Sequence, residues 1–87
     1  MDGVTVITDF EATFGARVQA QTVGAGPEVS GPCSIRPIPD SSRMRLVIFT
    51  EPGTSVTIDF DPRNVLTKPG RWDLASGDGT RWAIRKA

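Results

Sequence analysis

The sequence predicts a small all-β protein, an antiparallel sandwich or barrel of five to seven strands. Three observations point there. Residues 43 to 60 and residues 71 to 86 each read as two β-rich arms around a turn. Nine glycines and seven prolines punctuate 87 residues, which sets turn signals at short intervals. Beyond the first two dozen residues there is little helical periodicity. One domain, residues 1–87, accommodates the whole chain.

Residues 4 to 23 carry two patterns at once. Val4, Val6, Phe10, Ala12, Phe14, Ala16, Val18 and Ala20 fall on even positions, the period of a half-buried strand. Phe10, Phe14 and Val18 also lie four apart, on one helical face. Thr8 and Glu11 have the spacing of a capping box, and Gly24 suits a helix stop. Gly15 would cost a helix interior about 1 kcal/mol, whereas a long strand accepts it at a bend. Two strand arms, about 4 to 13 and 16 to 23, are therefore expected; the alternative is an α+β fold with a helix at about 9–21.

Residues 24 to 42 hold four prolines and three glycines. Gly24-Ala25-Gly26-Pro27 and Gly31-Pro32 mark a loop, with Cys33-Ser34-Ile35-Arg36 as a short edge strand. Pro37 and Pro39 donate nothing to a ladder, so no central strand is expected through them. Long Pro/Gly segments of this kind are commonly functional, which makes Pro37 and Pro39 candidates for interaction.

Leu46-Val47-Ile48-Phe49 is apolar without a break, as in a strand covered on both faces, so residues 44 to 50 are expected to be the central strand. Val56, Ile58 and Phe60 alternate with Thr57 and Asp59 in the second arm. Pairing Phe49 with Val56 leaves a four-residue loop. Pairing Ile48 with Val56 leaves three residues, Glu51 to Gly53, a tighter loop that Pro52 disfavours. Asp61-Pro62 fits the cap and first position of a short helical turn, and Lys68-Pro69-Gly70-Arg71 is a turn with Pro and Gly in its centre. In the last hairpin, Trp72 and Leu74 share a face, as do Trp82 and Ile84. Uniting these four sets Leu74 opposite Trp82 and Trp72 opposite Ile84, and leaves Gly77-Asp78-Gly79 as the loop. The other face then carries Arg71, Asp73, Arg81 and Arg85.

Composition narrows the function. Ten acids balance ten bases, so no net field draws the chain to nucleic acid or to an anionic membrane. No apolar run reaches the length of a membrane span. The start, Met1-Asp2-Gly3, shows no secretory pattern, so cytoplasmic synthesis is expected. One cysteine, Cys33, leaves no internal disulfide. The sequence has no histidine and no tyrosine, which removes the commonest general base and metal ligand. Neither catalytic residues nor a cofactor nor a metal is expected. Asp59, Asp61 and Asn64 lack the acids of a calcium loop and read as a strand end followed by a cap. Cys33 reads as a small hydrophobe and Asp78 as a turn residue.

In style the chain resembles the small β-rich accessory proteins of tailed-phage particles: head-decoration, connector and tail-fibre-associated domains. The resemblance rests on the hairpins at 43 to 60 and 71 to 86. It implies a non-enzymatic structural or protein-interaction module that assembles with other protein chains as a homo- or hetero-oligomer, with the virion as a destination. Arg71, Arg81 and Arg85 join Pro37 and Pro39 as interaction candidates. Two other functions compete with it. One is a small barrel that binds single-stranded nucleic acid through the interleaved Trp72, Trp82 and basic residues. The other is a small inhibitor or regulator of a host enzyme.

Overall fold

The computed structural model describes residues 3–23, 26, 28–51 and 53–87. Helix α1 (Gly3–Phe14) is followed by β1 (Arg17–Thr22), β2 (Val29–Pro37), β3 (Met44–Glu51), β4 (Thr54–Phe60), a 3-10 turn (Pro62–Asn64), β5 (Leu66–Lys68), β6 (Arg71–Ala75) and β7 (Arg81–Lys86). The protein is mostly β. Its seven strands form one antiparallel sheet in the order β4-β3-β2-β1-β7-β6-β5, and the sheet is not closed.

The helix corrects the strand arm expected at 4 to 13, and its bounds differ from the alternative at 9–21. Val6, Phe10 and Phe14 are four apart and fully buried, so the helical period prevails over the even-position pattern. Gly15 stops the helix rather than bending a strand. It takes φ +68° and its N–H donates to the Glu11 carbonyl at 2.9 Å, the left-handed closure that glycine makes without strain. Thr8 and Glu11 therefore lie inside the helix and not at its start. The second expected arm, 16 to 23, is β1.

Residues 29 to 37 are a strand bonded on both sides, not a loop with an edge strand. β2 pairs with β1 through residues 29 to 32 and with β3 through residues 33 to 37. Pro32 sits where β2 changes partner, so its missing N–H falls at the end of one ladder, and the Cys33 N–H donates to the Ala16 carbonyl at 2.8 Å. Pro37 closes the strand opposite Met44. Of the loop expected at 24 to 27, residues 24, 25 and 27 lie outside the described residues, as does Pro52.

Ile48 pairs with Val56, with a shift between Phe49 and Glu51, so the tighter register is the one formed; Gly53 supplies its φ of +82°. β3 is neither central in the sheet nor covered on both faces: Leu46 and Ile48 are buried, while Phe49 is 49% exposed. The last hairpin forms as expected. Leu74 pairs with Trp82 and Trp72 with Ile84, and Gly79 takes φ +91°. Asp61 caps the 3-10 turn by accepting from the Arg63 N–H at 2.9 Å.

The core lies between α1 and the inner face of the sheet. Met44, Leu46, Ile48, Ile58, Phe60, Trp72, Leu74 and Ile84 face the helix side and are buried. Trp72 meets Phe10 and Phe14 edge-on, at ring centroid separations of 5.4 and 5.6 Å. Each such contact is worth about 0.5–1.5 kcal/mol beyond area burial. Trp82 packs half-buried at the margin of the same core.

Candidate interaction surface

Directly paired residues of an antiparallel sheet share a face, so the registers define the outside of the sheet. It divides in two. The half built from β2, β3 and β4 presents Val47 and Phe49 of β3, flanked by Pro32 and Ser34 of β2 and by Ser55 and Thr57 of β4. Phe49 lies directly opposite Ser55, and both are exposed. Further along this half Arg45 holds Asp59 with two hydrogen bonds, 2.8 and 3.1 Å. That hydrogen bonding keeps the Asp59 carboxyl below its usual range against the opposing effect of desolvation.

β4 is an edge of the sheet. Among the described residues only its C-terminal end is covered: Phe60 bridges Ser76, and the Gly77 N–H donates to the Asp59 carbonyl at 3.2 Å. Backbone groups alternate sides along a strand. An outward Asp59 carbonyl therefore directs the N–H and C=O groups of Thr57 and Ser55 outward too. Both side chains are exposed, and no backbone hydrogen bond from another described residue reaches the outward groups of Ser55 and Thr57.

The half built from β1, β7, β6 and β5 is cationic. Gln19 pairs with Arg85, Arg85 with Arg71, and Arg71 with Lys68, which gives one continuous row across four strands. Asp73 is its local counter-charge, accepting from Arg71 at 2.8 Å and standing 3.4 Å from Lys68 Nζ. Partial burial pushes the Asp73 carboxyl up, but hydrogen bonds from Arg71 and Lys68 outweigh it and hold it below the usual range. Arg81 lies four residues from Arg85 along β7, opposite Ala75.

The structure thus brings together three of the five candidate residues, Arg71, Arg81 and Arg85. Pro37 and Pro39 are exposed, at the end of β2 and in the turn that follows it. Phe49 and the β4 edge were not singled out from the sequence. Phe49 was hidden inside an apolar run, and an edge is a property of sheet order. Lys68 joins the row only because β5 pairs with β6.

Two further carboxylates are satisfied locally. Asp61 accepts from the side chain and the backbone N–H of Arg63, which lowers its pKa to about 2. Asp78 accepts from the Ser76 hydroxyl and from the Thr80 N–H, which lowers its pKa to about 2 as well. Both carboxylates are engaged in turn and cap geometry. No group of three or more His, Cys, Asp or Glu suited to an ion occurs among the described residues. Cys33 lines a groove between α1 and β2, where burial pushes its thiol up, away from the reactive thiolate. No helix among the described residues is long and apolar enough to cross a membrane.

No family model, curated protein or solved structure matches the chain.

Proposed function

We propose that the protein is a non-enzymatic structural module that assembles with copies of itself through the β4 edge. One observation carries this reading: an exposed phenylalanine, Phe49, stands beside an open strand edge over a small residue, Ser55. Unpaired edges template strand addition, and native proteins usually blunt them with charge or proline. The open stretch of β4, Ser55 to Thr57, carries neither.

An antiparallel two-fold through Ser55 sets Ser55 against its copy and Thr57 against Gly53 of the second copy. The residues it brings together, Gly53 to Thr57, carry no charge. The two small serines leave room for both Phe49 rings to close over the axis, removing apolar surface that the monomer leaves wet. An isologous contact of this kind closes on itself. Service in a phage-like particle, after cytoplasmic synthesis, belongs to the same proposal and draws on the short β-rich chain and its hairpins.

Light scattering on a sizing column tests the assembly. The unaltered chain is expected to run at a multiple of 9.3 kDa. Ser55→Lys, which sets two ammonium groups across the axis, is expected to run at the monomer mass with an unchanged circular dichroism spectrum. Equal masses for the two proteins would refute the proposal.

A further inference from the structure

The other half of the sheet's outer face carries a second, independent surface. Like charges directly opposite each other in a ladder are destabilising, yet Arg85, Arg71 and Lys68 stand on consecutive opposing positions. Asp73 compensates Arg71 and Lys68. Arg85 and Arg81 are exposed and have no ion pair among the described residues. The chain's zero net charge therefore conceals a face that is locally cationic.

That face is also shaped. Ala83 points outward between Gln21 and Asp73, is only 9% exposed, and floors a depression of about 490 Å³ walled by Arg71 and Arg85. A second depression of about 350 Å³ holds Arg81, Leu66, Ala75 and the half-buried Trp82. Val23 rims both. Val23 and Leu66 are 57% and 65% exposed, the largest apolar exposures among the described residues. Unpaired guanidinium groups thus alternate with wet aliphatic side chains.

We infer that this face binds an acidic segment of a partner protein, one that interleaves carboxylates with apolar side chains. Arg85 and Arg81 take the carboxylates in the forked geometry that arginine offers. Val23 and Leu66 receive the apolar side chains. A nucleic-acid strand fits less well. Single-strand binders stack bases on exposed aromatic rings, whereas of the described aromatics of this half Trp72 is buried and Trp82 is half-buried against the core, with only part of its ring reaching the depression. Asp73 beside the cation row would also oppose a uniformly charged phosphate backbone.

The test uses the full chain and two labelled probes, a short peptide alternating Glu and Leu, and an oligothymidylate. Fluorescence anisotropy reports binding, and Trp82 emission reports occupancy of its depression. The peptide is expected to bind more tightly than the oligonucleotide. Arg85→Gln and Arg81→Gln, both at exposed positions, are each expected to weaken the peptide roughly tenfold. Leu66→Ser, which changes no charge, is expected to weaken it through the apolar contact alone, which separates a lost contact from a lost charge. Tighter binding of the oligonucleotide, absence of peptide binding, or unchanged affinity in the arginine variants would each overturn the inference. Ser55→Lys should leave peptide affinity unaltered, so failure here and failure of self-assembly are read separately.

Discussion

Gly31→Ala probes the way β2 and β3 fit together. Gly31 lies on the inner side of β2, beside the point where the strand changes partner. A Cβ built there would overlap the Phe49 carbonyl oxygen and stand 3.2 Å from the Phe49 carbonyl carbon. The obstacle is backbone, so no side-chain rotation relieves it. Ordinary carbon–oxygen contact requires the two chains to part by roughly 1 Å. Such overpacking costs about 1–3 kcal/mol. Each ladder hydrogen bond stretched by the separation adds about 0.5–1.5 kcal/mol. The expected total is about 3–5 kcal/mol, a large share of the 5–15 kcal/mol typical of a small domain. Gly79→Ala is the control. Its Cβ meets nothing within 4 Å and is strained only by a φ of +91°, which costs about 1–2 kcal/mol. Urea titration followed by circular dichroism measures both. Equal losses in the two variants, or a neutral Gly31→Ala, would refute the close approach of residue 31 to the β3 backbone.

Trp72→Ala removes the ring that Phe10 and Phe14 meet, and is expected to cost about 3–5 kcal/mol in the same titration. Phe49→Ser should shift stability by no more than about 0.5 kcal/mol, as surface changes do, yet lower the assembled fraction in light scattering. Acid should destabilise the fold through Asp61 and Asp78. Their folded pKa values near 2 lie below the ordinary 3.8, so their contribution is complete above about pH 4 and is lost as pH falls toward 2. Thermal melts between those limits should show a falling midpoint, and Asp61→Asn should flatten the slope.

The parts legible in the sequence were those in which two local signals agreed. In the last hairpin the apolar alternation of Trp72, Leu74, Trp82 and Ile84 and the glycine at 79 select one register, and that register forms. The cap at Asp61 and the turn at Pro69-Gly70 rest on single residues with fixed conformational preferences. The first segment misled because Val6, Phe10 and Phe14 satisfy periods of two and of nearly four together. What decides between them is a sheet face that needs a cover, and that face is assembled from distant strands. β2 was hidden because proline counts against a central strand, whereas a strand that changes partner has a position where no N–H is required. Leu46 to Phe49 looked doubly buried because a run of apolar letters does not show that Val47 and Phe49 point outward. Arg71, Arg81 and Arg85 were legible as one wet face. Their continuation into a row with Lys68 and Gln19 needed the β1–β7 and β5–β6 pairings, which join residues far apart in the chain or across a turn.

The outward amides of Ser55 and Thr57 report most directly on whether the β4 edge meets another copy. Hydrogen exchange followed by NMR over a range of protein concentrations reads them one by one. Protection of both amides that rises with concentration, and that disappears in Ser55→Lys at Thr57, is the expected result. Exchange at unprotected rates at every concentration would show that edge to be bare, and self-assembly through β4 would be excluded.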